Sequence, residues 1–306
     1  MRIVFMGYGE LGANMLRGVA PHHDVVLVVT HPAGFTGLRE SDVERSAAEL
    51  GIPVEFSRSA REPHLHARLH TLRPQVVLST NWRTRIPSDV LRVPTLGAVN
   101  VHDALLPEYA GFGAVNWAVR NGEDATGLTV HYMDEELDTG PIIHRSVVKI
   151  GPHDTATDVL ATLLEEYVPV TLQALDLVQE GNRGERQTGD GRSFYHRIGV
   201  ADTRIDWAAT SATVYNLIRG QSDPFVNAWT THDGHRLWVK SAVLPQRSYG
   251  GTPGRIVRAE GDGVAVVTGR SCTGEPQGVV IRDVAVDDRE PVRALDYFEK
   301  FDGYLV

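Results

Sequence analysis

Apolar and polar residues alternate along the first half of the chain in a way that predicts short buried strands separated by amphipathic helices. Runs of strand length cover residues 3–6, 25–29, 75–79 and 97–101. The helices between them are marked by apolar faces at Leu11, Met15, Leu16 and Val19, at Val43, Ala47 and Leu50, and at Leu65, Leu69 and Leu72. Strands that alternate with helices predict right-handed βαβ units and a mostly parallel, Rossmann-like sheet.

The pattern changes in the second half of the chain. Longer strands are predicted at 128–133 and 142–150, with a turn at 138–141 between them. A long helix follows, whose predicted buried face holds Val159, Leu160, Leu163, Leu164, Val168, Leu172 and Leu175. Residues 180–192 are polar and rich in glycine, which predicts an exposed connector. Beyond residue 204 short strands around Leu237, Ile256, Val264 and Val280, with one helix at 214–219, predict a small β-rich domain. We therefore divide the chain into an N-terminal domain, 1–200, and a C-terminal domain, 201–306.

Composition narrows the class of protein. The 306 residues are 42% hydrophobic and 23% charged, as in ordinary globular proteins. The formal charge of −9 gives no general attraction for polyanions, although a local basic patch can exist within an acidic total. Cys272 is the single cysteine, so no disulfide forms within the chain. The N-terminus lacks the features of a signal peptide, and no apolar run reaches about 18 residues. We expect a cytoplasmic protein with no membrane association.

A glycine motif follows the first predicted strand. Gly7, Gly9 and Gly12 match G-x-G-x-x-G, which is typical of dinucleotide-binding turns. That function needs a carboxylate at the end of the second strand for the ribose hydroxyls, and the strand ends in Thr30-His31-Pro32. A tight strand-to-helix turn therefore explains the glycines better. An NAD(P)-dependent oxidoreductase stays as a distant alternative.

Three polar residues suggest chemistry. Asn100 and His102 lie two apart at the end of a predicted strand, so they project to the same face, at the edge where parallel sheets bind ligands. Asp138 lies in the predicted turn at 138–141. An amide can donate to an oxyanion, an imidazole can accept a proton, and a carboxylate can orient that imidazole or relay a proton. The spacing alone is equally compatible with polar residues that cap a sheet and with a structural turn residue.

A family resemblance adds to this interpretation. Asn100-x-His102, Leu106-Pro107-x-Tyr109, Gly127-x-Thr129 and Asp138-x-Gly140 resemble, in order and spacing, the formyltransferases that use 10-formyltetrahydrofolate. Arg204-Ile205-Asp206-Trp207 resembles the R-I-D-W marker that opens the C-terminal domain of methionyl-tRNA and sugar-nucleotide N-formyltransferases. The resemblance implies an open-barrel, OB-like C-terminal domain. It also implies direct formyl transfer to an amine, with Asn100 as oxyanion stabiliser, His102 as general base and Asp138 as orienting residue or proton relay.

The resemblance also implies binding residues. The donor's pterin ring is expected between a loop at 81–86 and a second wall at 134–137. The cofactor-binding residues predicted in this way are Asn81, Trp82, Arg83, Thr84, Ile86, Leu105, Asp134, Glu136 and Leu137. Tyr8, Tyr109 and Phe112 are predicted to contact the acceptor. The chain departs from the family at Ala104, where Ser is common, and at Ala110, where Arg is common, and both departures concern acceptor recognition.

The acceptor is predicted from charge. Residues 201–306 carry 12 Lys or Arg and 14 Asp or Glu, and the candidate tRNA loop at 31–45 is no more basic. Phosphate contacts from Lys and Arg supply much of the affinity for RNA. We therefore expect a small amine, such as an amino sugar nucleotide or a specialised metabolite. A methionyl-tRNA formyltransferase is the alternative, with tRNA possible but disfavoured. A homodimer is possible.

A metal site is not expected. His64, His66 and His70 include one pair with helical spacing, but the segment offers no third ligand in register. Trp117 and Trp207 are predicted to anchor cores rather than to stack on a ligand.

Overall fold

The computed structural model describes residues 1–32, 34–35, 42–189, 191–270, 276–287 and 289–306. Cys272 lies outside the described residues, as does much of the candidate tRNA loop, including Arg39 and Glu40. The chain forms two compact units. The first holds Met1–Gly111, Gly127–Val148 and Thr162–Phe194, and the second holds Phe112–Thr126, Lys149–Ala161 and Tyr195–Val306. The division into domains at residue 200 stays a prediction.

The secondary-structure elements are numbered in chain order. The helices are α1 (Gly9–Val19), α2 (Asp42–Glu49), α3 (Pro63–Leu72), α4 (Ser88–Leu91), α5 (Ala114–Asn121), α6 (Ala156–Gln179), α7 (Ser211–Gly220) and α8 (Ala294–Tyr297). The first strands are β1 (Arg2–Gly7), β2 (Asp24–Thr30), β3 (Val54–Phe56), β4 (Val76–Thr80), β5 (Gly97–His102), β6 (Ala110–Gly111), β7 (Ala125–Tyr132) and β8 (Ile142–Lys149). The later strands are β9 (Phe194–Tyr195), β10 (Ala228–His232), β11 (His235–Val243), β12 (Ile256–Glu260), β13 (Gly263–Val266), β14 (Val279–Val286) and β15 (Val292–Arg293).

The first unit is built on a sheet whose order, over the described residues, is β3-β2-β1-β4-β5-β7-β8. Strands β3, β2, β1, β4 and β5 pair in parallel, and β7 pairs antiparallel with β5. The predicted Rossmann-like, mostly parallel architecture is therefore confirmed. The strand order reverses between β1 and β4, and open α/β sheets commonly bind ligands at the carboxyl ends of strands at such a point, which here lies next to the end of β5.

Apolar residues on both faces of the central strands form the core of this unit. Every residue of β4 is buried, because a parallel sheet covered by helices hides both faces. One cluster joins Val4, Met6, Leu27, Leu65 and Ile86 with their neighbours. The packing holds the ends of β1, β4 and β5 in fixed positions, and these ends carry the site residues.

The predicted face of helix α6 needs correction. Leu164 is 41% exposed, whereas the buried side includes Tyr167, Val170 and Ala174. Of the predicted residues, Val159, Leu163 and Leu175 are buried as expected. The apolar residues of this helix cover more than one face, so periodicity alone identifies the buried side only in part. The aromatic ring of Tyr167 is buried although its hydroxyl is polar, because that hydroxyl meets a carboxyl group described below. Helix α5 was not predicted, since it is only eight residues long and lies between Gly113 and Gly122.

The second unit contains the antiparallel sheet that the sequence predicts after residue 204. Within the described residues its order is β10-β11-β14-β13-β12, and β15 pairs with β14. Trp207, Leu237, Ile256 and Ile281 lie in its core. The prediction of a small β-rich C-terminal domain with a helix near 214–219 is confirmed by this sheet and α7. The core position of Trp207, 5% exposed, also confirms its predicted role.

Candidate active site

The structure brings the three predicted catalytic residues together. Asn100 and His102 occupy the end of β5, and Asp138 lies in the turn between β7 and β8. His102 Nδ1 is 3.7 Å from Asp138 Oδ2. His102 and Asp138 are 9% and 6% exposed, so their interaction is little screened by water. A cluster of an amide, an imidazole and a carboxylate therefore exists at the sheet edge.

The hydrogen bonds of His102 define which ring nitrogen can act as a base. Its Nε2 lies 2.9 Å from the carbonyl oxygen of Tyr109, which can only accept, so we assign the proton to Nε2. In the neutral ring the lone pair is then on Nδ1, the nitrogen that lies close to Asp138. A proton taken up at Nδ1 would be stabilised by the carboxylate.

His131 is a site residue that the sequence analysis missed. It pairs with Asn100 across β5 and β7, and Asn100 Nδ2 lies 3.4 Å from His131 Nε2. The opposite ring nitrogen, Nδ1, is 2.8 Å from the carbonyl oxygen of Tyr132. Burial is the main cause that lowers the pKa of His131, so the ring is neutral near pH 7. The apolar–polar alternation of Leu128-Thr129-Val130-His131 predicts a strand but does not mark His131 as a site residue, because cross-strand register is needed to place it beside Asn100.

The turn that carries Asp138 is held by contacts from distant segments. Asp138 has a positive φ of 56°, and its Oδ2 accepts a hydrogen bond from the Gly111 N–H at 2.9 Å. Gln187 Nε2 donates to the carbonyl oxygens of Asp138 and Gly140, at 3.0 and 2.8 Å. The segment 180–192, predicted as an exposed connector, thus contributes a positioning residue that no sequence motif marked.

Position 140 requires glycine because the backbone of Tyr132 lies very close to it. A Cβ at this position would lie 1.8 Å from the carbonyl oxygen of Tyr132, so a larger residue would displace the turn. Gly127 is restricted in the same way, since its Cβ would lie 1.9 Å from the carbonyl oxygen of Ser146 and 2.6 Å from Leu105 Cδ2. The family-like glycines at 127 and 140 therefore serve packing around the site.

A buried carboxyl group follows His102 directly. The Tyr167 hydroxyl of α6 donates to Asp103 Oδ1. Burial raises the pKa of Asp103, and the negative charge of Asp138 raises it further, while His102 opposes the shift. Asp103 thus lies within electrostatic reach of the site without belonging to the predicted trio.

The two segments predicted to bind the donor face each other in the first unit. Arg85 Nη2 donates to the carbonyl oxygen of Glu135, which links the loop at 81–86 to the segment at 134–137. In the first segment, Trp82 Nε1 and Thr84 Oγ1 are buried and have no hydrogen-bond partner among the described residues. In the second, Leu137 is 50% exposed. A half-apolar, half-polar surface with unsatisfied donors suits an aromatic heterocycle with polar edges.

Other predicted binding residues are engaged in internal contacts. Asn81 Nδ2 donates to the Tyr8 carbonyl oxygen at 2.9 Å, and its Oδ1 accepts from Arg83 Nη1 at 3.0 Å. The Glu136 N–H donates to Asp134 Oδ1 at 3.1 Å. These contacts fix the two loops. The remaining predicted donor-site residues differ in exposure: Ile86 is buried in the core, and Leu105 is half-buried.

The predicted acceptor residues lie in different surroundings. Tyr8 is 3% exposed, with its ring 5.4 Å from that of His31 in an edge-on arrangement. Tyr109 is 8% exposed, and its backbone, at a φ of 56°, presents the carbonyl group that binds His102. Phe112 belongs to the second unit, is 41% exposed and lies 5.1 Å from the Arg197 guanidinium carbon. Acceptor contact by these residues stays a prediction.

The glycine motif after β1 forms a tight turn. A Cβ on Gly12 would lie 3.1 Å from the carbonyl carbon of Gly7, and Gly9 has a φ of 66°. At the end of β2 the His31 ring stacks against Trp82 at 3.9 Å, in the place where a dinucleotide site needs a carboxylate. Close packing therefore accounts for the glycines.

Comparison with known protein families identifies the family of the chain. The model of the formyl transferase family matches residues 1–175, and that of the formyl transferase C-terminal domain matches residues 197–302. The chain belongs to the formyl transferase family. It is therefore an enzyme that transfers formyl groups, and the oxidoreductase alternative has no support.

The names of similar proteins also bear on which molecule accepts the formyl group. The methionyl-tRNA formyltransferase of Paracoccus denitrificans is 32% identical over 303 residues, covering 94% of this chain and 99% of that protein. The methionyl-tRNA formyltransferase of Pelotomaculum thermopropionicum is 34% identical over 277 residues, covering 88% of each. These relatives contradict the prediction of a small-amine acceptor and the view that tRNA is disfavoured. The prediction was wrong because a charge count over a whole domain does not show where the charges lie.

Solved structures share the fold. An N-formyltransferase from Helicobacter canadensis, solved with folinic acid and dTDP-3-aminofucose, aligns with a TM-score of 0.71 at 17% identity. The alignment covers 91% of this chain and 98% of that protein. The sugar 3N-formyl transferase WlaRD, solved with dTDP and 5-N-formyl-THF, aligns with a TM-score of 0.70 at 16% identity, covering 95% of this chain and 99% of that protein. At sequence identities of 16% and 17%, the similarity to these two structures shows a shared fold and nothing more specific.

Two further observations concern metal-binding groups and membrane-spanning helices. In the described parts of the chain, no group of three or more His, Cys, Asp or Glu side chains is arranged to hold a metal ion. His66 and His70 instead contact each other, with their Nε2 atoms 3.2 Å apart. No helix over the same residues is long and apolar enough to cross a membrane.

Proposed function

We propose that this enzyme is a methionyl-tRNA formyltransferase, which transfers the formyl group of 10-formyltetrahydrofolate to the α-amine of methionyl-tRNA. The observation that carries the proposal is the coverage of its relatives: two proteins of that name match nearly the full chain at 32% and 34% identity. Similarity of this extent includes both family regions, 1–175 and 197–302.

The donor part of the proposal is supported by the surface between the loop at 81–86 and the segment at 134–137. Trp82 Nε1 and Thr84 Oγ1 would donate to polar atoms of the pterin ring, since each is buried and the part of the chain that the structure describes offers it no partner. Leu137 would cover the ring's apolar face. We assign Asn81, Arg83 and Asp134 to positioning of these loops through their internal contacts.

In the proposed mechanism Asn100 and His102 act on the same acyl-transfer step. Asn100 donates through Nδ2 to the oxygen of the formyl group, where negative charge develops as the amine nitrogen bonds to the formyl carbon. His102 accepts the proton lost by the amine at Nδ1, and Asp138 stabilises the resulting imidazolium. The bond between the formyl carbon and N10 of the folate then breaks, and N10 takes the proton held by His102, which returns the imidazole to its neutral form. The products are formyl-methionyl-tRNA and tetrahydrofolate.

The experiment supplies 10-formyltetrahydrofolate with one of three acceptors: charged initiator tRNA, uncharged tRNA, or a panel of amino sugar nucleotides. Formylated product is identified by mass, and tetrahydrofolate release is measured in parallel. We expect product only with methionyl-tRNA. Formylation of a sugar nucleotide with none of methionyl-tRNA would disprove the proposed acceptor, and the absence of product from every acceptor would disprove the reaction.

A further inference from the structure

Ser193 belongs to the first unit and contacts the backbone of the segment that follows β5. Its hydroxyl oxygen accepts a hydrogen bond from the Tyr109 N–H at 2.9 Å. Its carbonyl oxygen accepts from the Ala110 N–H at 3.0 Å, and its own N–H donates to the Pro107 carbonyl oxygen at 3.4 Å. The two N–H groups that Ser193 binds belong to the peptide planes on either side of the Tyr109 Cα. Ser193 therefore controls the rotation of the backbone at Tyr109.

Tyr109 is held in a backbone conformation that residues with a side chain avoid. Its φ of 56° lies in the left-handed region, where the Cβ of an L-residue crowds the following carbonyl oxygen. Such a conformation persists only where the surrounding contacts impose it. On one side of Tyr109 the N–H donates to the Ser193 hydroxyl, and on the other the carbonyl oxygen lies 2.9 Å from His102 Nε2. The strained residue thus connects the serine to the predicted base.

The Tyr109 carbonyl group determines which nitrogen of His102 carries the proton. Because a carbonyl oxygen only accepts, it keeps the proton on Nε2 and leaves the lone pair on Nδ1, which faces Asp138. If the backbone at Tyr109 rotated, this acceptor would move away, and the neutral ring could carry its proton on either nitrogen. A ring with its proton on Nδ1 has no lone pair on the nitrogen that the proposed mechanism uses as the base.

The same segment also orients the carboxylate. Gly111, which follows Ala110 in β6, donates its N–H to Asp138 Oδ2 at 2.9 Å. This oxygen is the one that lies 3.7 Å from His102 Nδ1. The Gly111 N–H lies one residue beyond the backbone group of Ala110 that Ser193 holds, so its direction depends on the same attachment. Ser193 therefore influences the groups that face both ring nitrogens of His102.

We propose that Ser193 is a positioning residue for formyl transfer, which fixes the left-handed conformation of Tyr109 and thereby keeps the proton of His102 on Nε2. The lone pair then stays on Nδ1, the nitrogen that takes the proton of the amine. This inference rests on the proposed function, since it gives Ser193 a part in the base step. Ser193 lies 84 positions from Tyr109 in the chain, so no motif around the catalytic residues marks it.

The first test measures turnover of the full-length enzyme with 10-formyltetrahydrofolate and methionyl-tRNA. Ser193→Ala removes the hydroxyl acceptor and leaves the two backbone bonds. We expect kcat to fall by about tenfold, as for a misplaced catalytic group, with little change in KM for either substrate. Ser193→Thr keeps a hydroxyl and should retain most of the turnover. Asparagine enters the left-handed region more readily than tyrosine, so Ser193→Ala should cause a smaller loss in a Tyr109→Asn background than in the wild type.

The second test determines the tautomer of His102 from the ¹⁵N chemical shifts of the histidine rings, at a pH where the rings are neutral. The His102 signals are assigned by their loss in His102→Gln. We expect the proton on Nε2 in the wild type and a mixture of both tautomers in Ser193→Ala. A purely structural role of the hydroxyl would lower thermal stability and leave the tautomer unchanged, so the two roles give different results.

The matched control is Arg192→Ala, which changes the exposed neighbour and leaves the hydroxyl in place. This variant should match the wild type in kcat and in the tautomer of His102. If the wild type formylates methionyl-tRNA while Ser193→Ala keeps the wild-type tautomer, the proposal for Ser193 is wrong and the proposed function stands, whether or not kcat falls. If the wild type does not formylate methionyl-tRNA, the proposed function fails. The tautomer measurement needs no acceptor, so it still decides whether Ser193 positions His102.

Discussion

The side-chain amide of Asn100 donates to His131 Nε2 across 3.4 Å, while His131 Nδ1 donates to the Tyr132 carbonyl oxygen at 2.8 Å. The second bond assigns the ring proton to Nδ1 and leaves the lone pair of Nε2 to accept from Asn100. One N–H of the amide is thus used for orientation, and the other is left to donate to an oxyanion. In the proposed mechanism His131 therefore affects catalysis by holding Asn100.

Replacement of His131 by alanine should lower kcat by about tenfold to a hundredfold, less than the 10²–10³-fold expected for loss of an oxyanion donor at Asn100. KM for the folate donor should change little, because the ring does not belong to the proposed donor surface. Steady-state formylation assays of His131→Ala and Asn100→Ala measure both effects. The double variant should be no slower than Asn100→Ala, and additive losses would contradict a positioning role.

Removal of the proposed base should abolish most of the activity. We expect His102→Ala to reduce kcat by about 10²–10⁴-fold, the usual contribution of general base catalysis. Binding of tetrahydrofolate, measured by calorimetry, should remain close to wild type. Added imidazole should restore part of the rate in this variant but not in Asn100→Ala. Unchanged turnover in His102→Ala would exclude it as the base.

Gln187 should matter for turnover although it lies in a polar connector. Its Nε2 donates to the carbonyl oxygens of Asp138 and Gly140, so Gln187→Ala frees the turn that presents the carboxylate. We expect kcat to fall by about tenfold, in line with the effect of a misplaced catalytic group. Gln187→Glu, which keeps the size but removes the donor, should behave like alanine. The neighbouring Arg186→Ala serves as control and should keep full activity.

Gly140→Ala should destabilise the protein and impair catalysis together. The new Cβ would lie 1.8 Å from the Tyr132 carbonyl oxygen, so the backbone must move, at a cost of about 1–3 kcal/mol. Chemical denaturation followed by fluorescence measures the loss. The matched change Gly189→Ala meets no atom of the described residues within 4 Å and should leave stability within about 0.5 kcal/mol of wild type. Equal stability of the two variants would refute the packing argument.

Stability should fall on acidification below about pH 6.5. Burial lowers the pKa of His31 and of His131 from 6.5 in the folded chain. The unfolded chain therefore binds protons at these rings at a higher pH than the folded chain, so the free energy of unfolding decreases as the pH falls. Thermal unfolding between pH 7.5 and 5.5 tests this. His131→Gln should show a weaker pH dependence than wild type, and an identical slope would show that the ring does not contribute.

The predicted strands and helices depended on local periodicity, and most of them are present. The buried runs near Ile3, Val25 and Val77 became β1, β2 and β4, because a strand covered on both faces requires apolar residues throughout. Helix α6 was found, but Tyr167 on its buried side was missed. Its hydroxyl donates to the carboxyl group of Asp103, which is 64 residues away in sequence, so local periodicity does not reveal the pair.

The candidate site was predicted only in part. Asn100 and His102 share a face by their spacing of two, which covalent geometry alone requires. The family resemblance added Asp138, and the structure then placed its Oδ2 3.7 Å from His102 Nδ1. His131 and Gln187 had no local signal. Each acts through a partner on another strand or turn.

The sequence by itself therefore determined the layers of the fold, the formyl-transfer family and the pair at the end of β5, because these follow from short-range periodicity and motif spacing. Tertiary structure decided which ring nitrogen of His102 faces Asp138 and what holds Asn100. It also decided where the arginines of an acidic domain come together. Trp229 and Trp238 are nine positions apart in the chain but opposite each other in the sheet. Strand pairing brings the Arg236 guanidinium close to both rings, and a charge count does not show this.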